Sequence, residues 1–362
     1  MGRYRRHVWQ YGLLIFCLAL LAVTLLYPIS LTIAGGFAAD PARGIRWWPS
    51  GWPEGGFGSQ FTATHLASIF DNPATLRGLG NSFKVAASTT ALAIIIALPL
   101  AVLAAGYRFP GKGLFQAAVL VPMILPPFVG AIGVRALLGR EGALNSLFGT
   151  DLDILGSAKF FGVVAVQALS LYPIIFLNAT AALANLDPAL DEAAEGLGAG
   201  WWRRFFRITL PLVRPGIFAG ATIVFIWSFT ELGTPLMFDY YQVTPVQIFY
   251  GLKQIDTSAE PYALTFVLLA TAVLMYVVGR LIFGRKGYAM YSKASRAGGE
   301  KVLGGLRGLI ASAAFAGVFA LAVLPHVGVG LVSVTAPGQW YGTVLPTALT
   351  GQHFQQALTA PD

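Results

Sequence analysis

One cysteine is all the sequence offers, Cys17, and it sits inside an apolar run. A disulfide scaffold has nothing to pair. The four histidines, His7, His65, His326 and His353, are scattered, so no metal site with ligand spacing can be assembled from His and Cys, and no cofactor motif stands in its place. Charge is equally scarce: Asp, Glu, Lys and Arg make up 11% of the chain, less than half the roughly 25% of a soluble domain. Disorder needs the opposite composition, low hydrophobicity with high charge. The charge that is present sums to +8, and in a chain this apolar, basic residues set orientation in a bilayer rather than bind nucleic acid.

What is abundant is apolar sequence, 56% of residues before the 42 glycines are counted. It is laid out in runs longer than the roughly 18 residues that mark a bilayer span. Gly12–Gly36, Phe83–Gly106, Leu114–Leu138, Phe160–Leu183, Gly216–Thr234, Tyr262–Gly284 and Gly308–Val334 give seven candidate helices, hence an all-α polytopic membrane protein. Pro99, Pro122, Pro126, Pro127 and Pro173 are expected to kink these helices without breaking them. Arg3, Arg5 and Arg6 precede the first run, but it is too long for a signal peptide and no small-residue cleavage pattern follows, so it reads as a retained helix. With the N-terminus inside, the inner segments carry fifteen basic residues against six in the outer ones, which is the positive-inside pattern.

Three segments outside the spans are long enough to matter. Phe37–Ser82, with Trp47, Trp48 and Trp52, suits an irregular outer cap whose aromatics sit at the membrane interface; a plain connector is equally compatible. Arg285–Arg307, with Ala297–Gly299 at its centre, reads as an inner linker after six helices and before a seventh. An odd seventh helix prompts a search for a repeat. Phe61–Ala74 set against Leu349–Asp362 pairs Thr62 with Thr350, His65 with His353 and Pro73 with Pro361. Each stretch follows an apolar helix carrying Tyr27-Pro28 or Leu324-Pro325 and then a loop with Gly and Trp. The expected organisation is a first unit over residues 1–292, a linker over 293–307, and the opening of a second copy over 308–362, the chain being the N-terminal part of a longer fused protein.

The third segment, Ala184–Pro215, is the most informative. Asp187 is a good helix N-cap and Pro188 suits the first helical position. Asp191, Glu192 and Glu195 then fall in the early turns, where the helix dipole favours carboxylates. Gly196, Gly198 and Gly200 end this helix and permit a reversal. A second short helix, Trp201–Leu210, is expected to stop at Pro211 and carries arginines beside aromatics. Trp201, Trp202, Phe205 and Phe206 with Arg203, Arg204 and Arg207 fit an amphipathic hairpin lying on anionic lipid. That accounts for the second helix but not for the first, whose Ala193 and Ala194 offer a small surface to which another protein can pack closely.

Glu192-Ala193-Ala194, three residues, Gly198, nine residues, Ile208, one residue, Leu210-Pro211 resembles the EAA loop of the permease subunits of binding-protein-dependent ABC importers at every defined position. The resemblance covers roughly Asn81–Ser292, with Asn81-Ser82 similar to the polar start of the core's first helix. It implies a MetI-like helical bundle, here a six-helix unit plus the first helix of a second repeat. It implies further that the loop inserts into a cleft of a separate ATPase subunit. Carried over, Glu192, Ala193, Ala194 and Gly198 form the coupling surface and turn, while Ile208, Leu210 and Pro211 anchor it to the following span. The other partners implied are a periplasmic or extracellular substrate-binding protein and a second permease half, fused or separate, in the bacterial cell membrane. Glu231–Lys253 resembles the matching stretch of permeases for ferric iron, although fused permeases for thiamine, phosphonates and other small solutes, polyamines among them, share the layout.

Such a permease does no chemistry itself. Gly106–Gly113 has the spacing of a phosphate-binding loop, but Gly113 follows Lys112 where Ser or Thr is needed, and the segment joins two membrane helices. Within the spans, ionisable residues are functional suspects because lipid makes them costly. Glu231, about fifteen residues into the fifth span, and Arg135, near the outer end of the third, are the candidates for the pathway; an interfacial or paired structural role is the alternative for both. Gly216 and Gly220 are expected to permit close helix packing. The rival from another class is a gradient-driven transporter or channel whose hairpin is merely interfacial.

Overall fold

The computed structural model describes residues 2–40, 42–48, 53–151, 153–254, 257–283 and 300–359. Trp52, Arg285, Lys286, Lys293, Arg296 and Ala297–Gly299 lie outside them. The described chain is mostly helical, with almost no strand. Its helices are α1 (Gly2–Leu21), α2 (Tyr27–Gly36), α3 (Thr64–Asp71), α4 (Pro73–Gly106), α5 (Lys112–Ala118), α6 (Pro127–Leu138), α7 (Ala143–Phe148), α8 (Ile154–Ser157) and α9 (Lys159–Ala184). They continue with α10 (Pro188–Gly196), α11 (Trp201–Arg204), α12 (Leu210–Thr230), α13 (Gly233–Met237), α14 (Thr244–Gly251), α15 (Glu260–Phe283), α16 (Gly305–Ser333) and α17 (Gln352–Thr359). Two short strands, β1 (Tyr107–Arg108) and β2 (Lys301–Val302), pair in parallel.

Among the described residues, six helical stretches are long and apolar enough to cross a membrane, and the third run supplies a seventh only as a broken pair, Lys112–Met123 and Pro127–Phe148, bent by 94°. This corrects the expectation for Pro122, Pro126 and Pro127. Three prolines in six positions remove three backbone donors, and the residue before a proline is driven out of the helical region. Pro126 accordingly takes an extended ψ of 146°. Pro99 and Pro173, each alone in a long helix, leave α4 and α9 continuous.

A second correction concerns the start of α4. The outer cap does not run to Ser82: it contains α3, and α4 begins at Pro73, eight residues before Asn81. Asn72 accepts a hydrogen bond from the Ala74 amide at 2.9 Å, and Pro73 fills the first helical position.

The chain divides into two compact units. The first comprises residues 1–80 and 242–273. Here α2 meets the start of α15 closely, a Cβ on Gly36 falling 3.2 Å from Ala263 Cα, and Ile69, Ala263, Leu264 and Val267 form the core. Gln60 pins the preceding loop, accepting from the Arg46 amide at 2.7 Å and donating to the Arg46 carbonyl at 3.2 Å.

The second unit comprises residues 81–241 and 274–362. Its core runs along α4, α9 and α16, with Tyr172, Ile175 and Phe315 fully enclosed. As the sequence suggests, glycines set the spacing of α12 on α9: a Cβ at Gly216 would lie 2.5 Å from Ala182 Cβ, and one at Gly220 2.9 Å from Ile175 Cα. The closest approach is α6 to α16, where a Cβ on Gly133 would meet the Pro325 carbonyl and one on Gly328 would lie 2.5 Å from the Gly133 carbonyl oxygen. A buried polar cluster ties three spans together. Gln167 of α9, fully enclosed, accepts from Ser228 of α12 and from Thr89 of α4 at 3.3 Å.

Candidate functional site

The hairpin between α9 and α12 is built as its sequence indicates at the first helix. The Asp187 side chain accepts from the Ala189 amide at 3.0 Å and Pro188 opens α10. The end of α10 is closed by backbone bonds from Gly198 to the Glu195 carbonyl at 2.8 Å and from Ala199 to the Ala194 carbonyl at 3.0 Å. Gly198 sits at φ +79°, the left-handed conformation that a residue with a Cβ adopts only with strain.

The second half of the hairpin differs. Trp201–Leu210 does not stop at Pro211: α11, a π-turn over Phe205–Thr209 and α12 form one helical span, Trp201–Thr230. The π-turn is the physical reason. A proline in a helix lacks a donor and collides with the carbonyl four residues back, and the wider turn just ahead of Pro211 makes room for its ring. Ile208 therefore lies in the π-turn, and Leu210 and Pro211 open α12, all three half-buried. The hairpin is one short helix set against the extension of a span.

Arg204 holds the two together. It is 8% exposed and pairs with Asp191 and Glu195 of α10, each at 3.0 Å. Lys301 adds a pair to Glu195 at 3.5 Å. Arg204 first, then Lys301, holds the Glu195 carboxyl below its ordinary range. Asp191 and Glu195 are thus engaged by Arg204, Glu195 remaining exposed, while Glu192 and Ala193 are exposed and Ala194 is half-buried. Leu197, at the tip, is 89% exposed. Beside the hairpin lies a cleft of about 260 Å³ bordered by Leu190, Glu192, Trp201, Phe205 and Lys301. Trp201 stacks on Phe205 and Trp202 on Phe206, leaving Trp202 and Phe206 exposed beside Arg203 and Arg207.

The opposite end of α9, roughly 39 Å away at 1.5 Å per residue over its 26 residues, carries the other two candidates. The structure does not bring them together. Arg135, in the last turn of α6, pairs with Asp239 at 3.5 Å and donates to the Met237 carbonyl at 3.2 Å. Glu231 is not within a span but just past the end of α12, where its carboxylate accepts from the Thr234 amide at 3.2 Å and from the Thr234 hydroxyl at 3.3 Å, capping α13. Lys159 donates to the Asp239 carbonyl at 3.4 Å, and Asp239 holds a left-handed φ of 54°. The decoy Lys112 is likewise engaged, pairing with Glu300 at 2.7 Å. Among the described residues, no group of three His, Cys, Asp or Glu is placed to hold a metal ion. Sequence reasoning missed the structural part of Arg204, which only the phase of the helix after Gly200 reveals.

The chain has relatives among transport permeases. It is 33% identical over 214 residues to a probable molybdenum ABC transporter permease protein of Haloferax volcanii, covering 59% of this chain and 78% of that one. It is 33% identical to the molybdenum transport system permease protein ModB of Escherichia coli K12, over 41% of this chain and 67% of that one. The ferric transport system permease protein FbpB of Actinobacillus pleuropneumoniae is 28% identical over 67% of this chain and 36% of its own length. Among solved structures, a bacterial ABC transporter involved in the import of alginate shares the fold, with a TM-score of 0.59 at 18% identity over 79% of this chain and 98% of that one. Residues 93–285, which contain the whole hairpin, match the family described as binding-protein-dependent transport system inner membrane component, and the chain belongs to that family: it is a permease subunit of an ABC importer.

Proposed function

We propose that α10 and its turn are the surface through which this permease engages a separate ATPase on the cytoplasmic side, and that Glu192, Ala193, Ala194 and Gly198 form it. The observation that carries the reading is the division of labour on α10. Two of its carboxylates are paired with Arg204, leaving Glu192 exposed beside two small residues. A helix braced on one face and bare on the other can be pushed without deforming. Because α11 and α12 are one continuous helix, a push on α10 reaches a membrane span directly.

In this reading an outer binding protein delivers the solute, the ATPase drives alternating access, and a second permease half completes the pathway. Two identical backbone patterns support the second half. In one, Thr62 donates to the Phe37 carbonyl at 2.8 Å and Ala39 to the Gln60 carbonyl at 2.8 Å; in the other, Thr350 donates to the Val334 carbonyl at 2.8 Å and Ala336 to the Ala348 carbonyl at 3.0 Å. Each is followed by an eight-residue helix, α3 or α17. Residues 308–362 are then the opening of a second copy.

The solute class we propose is a small inorganic ion. The ferric resemblance of Glu231–Lys253 and the ferric and molybdenum relatives support it, while the capping part played by Glu231 removes its carboxylate as an argument for a cation. ATP-dependent uptake of radiolabelled ferric iron and of molybdate, by vesicles carrying the full-length gene with its ATPase and binding protein, tests both levels. Uptake of one ion, lost in Glu192→Arg together with co-purification of the ATPase, is the expected result. Uptake that survives Glu192→Arg with the ATPase still bound sinks the docking surface.

A further inference from the structure

The residues just ahead of α16 are held on both sides. β2 lies parallel to β1, with Tyr107 opposite Lys301 and Arg108 opposite Val302, and the Leu303 amide donates to the Arg108 carbonyl at 2.8 Å. Neighbouring residues of an extended chain point opposite ways. Glu300 accordingly turns to the loop before α5, meeting Lys112 at 2.7 Å, while Lys301 turns to α10, meeting Glu195 at 3.5 Å. The Lys112 side chain is only 14% exposed and also donates to the Tyr107 carbonyl at 3.0 Å, so the lysine end of this anchor is enclosed. Downstream the chain is fixed at once: Ser312 donates to the Pro110 carbonyl at 2.7 Å, and the Phe315 ring lies 5.2 Å from that of Phe109. None of residues 300–315 falls within the stretch that defines the family, which ends at 285.

We propose that Glu300–Leu303 is a strap that positions the α10 hairpin, with Lys301 as its positioning residue, so that displacement of α10 is passed to α16 as well as to α12. The proposal rests on the reading of α10 as the ATPase-docking helix. Arg204 links α10 to α12 within the hairpin, whereas Lys301 links the same Glu195 to a different membrane helix through two residues of paired backbone. One carboxylate therefore serves two transmission routes. Lys301 and Glu195 are both more than half exposed, so the pair contributes a modest energy, and the expected effect is a factor of about two to five rather than abolition.

The test uses the full-length protein reconstituted with its ATPase, and reads the factor by which binding protein, supplied with both molybdate and ferric iron, stimulates ATP hydrolysis. Lys301→Gln is expected to lower that factor about two- to fivefold, Lys301→Arg to leave it unchanged, and Lys301→Gln to add nothing in a Glu195→Gln background. No change in Lys301→Gln, with the ATPase co-purifying as in wild type, overturns the strap and leaves the docking reading standing. An equal loss in the Glu195→Gln background also overturns it, because Lys301 then acts elsewhere. Retention of the ATPase by Glu192→Arg overturns the docking reading itself.

Discussion

Arg203, Arg204 and Arg207 stand within five positions, and composition treats them alike, as basic residues among aromatics. The helix phase separates them: Arg203 and Arg207 are exposed, and Arg204 is buried against Asp191 and Glu195. The pairing makes the hairpin's rigidity dependent on pH. Because the Glu195 carboxyl is held below its ordinary value, its contribution is full above the unfolded value, about 4.3, and is lost as pH falls through the lowered folded value. Amide protection over residues 188–196, corrected for intrinsic exchange, is therefore expected to fall between pH 6 and pH 3 in wild type. In Arg204→Met it should already be about fivefold lower at pH 7, the upper range for a partly exposed pair, and change little with pH. A wild-type pH profile that persists in Arg204→Met would show that another contact sets the hairpin.

At the scale of the element, the sequence is legible wherever one residue dictates a local outcome. Asp187-Pro188 starts α10 and Gly198 turns the chain after it because a cap and a positive φ are local requirements. Asn72-Pro73 is the same signal at the start of α4, and hydropathy hides it there, since Arg77 and Asn81 interrupt the apolar run that the helix nevertheless contains. The break at Pro126 and the π-turn before Pro211 depend on how many prolines fall together and on what the neighbouring turn can absorb, which spacing alone does not give. Contacts between distant elements were least legible of all. Gly133 and Gly328 are 195 positions apart, and nothing in either segment announces that their backbones meet. Because the atoms a Gly133 side chain would meet are the carbonyl of Pro325 and, at 2.7 Å, the amide nitrogen of Val329, neither can swing aside. Gly133→Leu is expected to part α6 from α16 and cost about 1–3 kcal/mol, as overpacking does. It should lower the melting temperature in detergent by several degrees, whereas Gly317→Leu, at a site with open space around its Cβ, should leave it within about a degree.

For the whole molecule the open quantity is the number of crossings. Six helices qualify alone and the bent pair supplies a seventh only if both its pieces traverse. Its two ends answer this. Lys112, at the start of α5, pairs with Glu300, next to the Lys301 that meets Glu195 of the hairpin, which follows the C-terminal end of α9. Arg135, at the end of α6, pairs with Asp239, whose carbonyl accepts from Lys159 at the N-terminal end of α9. The pair thus travels the length of a 26-residue span despite its bend. α16 makes the same journey, from Pro110 beside Ser312 to Glu141, whose carbonyl accepts from the Gly342 amide at 3.0 Å. Seven crossings place the loop after α2 and the loop after α16 on one face, and the hairpin on the other; a re-entrant pair would put the two loops on opposite faces. Their matched backbone bonding requires the first arrangement if they are copies of one motif in one orientation. With Cys17 changed to serine, Trp48→Cys and Tyr341→Cys should both react with a membrane-impermeant maleimide added outside intact cells, and Leu197→Cys only after permeabilisation, all three side chains being well exposed. With Trp48→Cys still labelled from outside, labelling of Tyr341→Cys only after permeabilisation and of Leu197→Cys from outside would make the bent pair a re-entrant loop and end the case for a second copy, whereas labelling of both Trp48→Cys and Tyr341→Cys only after permeabilisation, with Leu197→Cys labelled from outside, would invert the orientation that the basic residues imply.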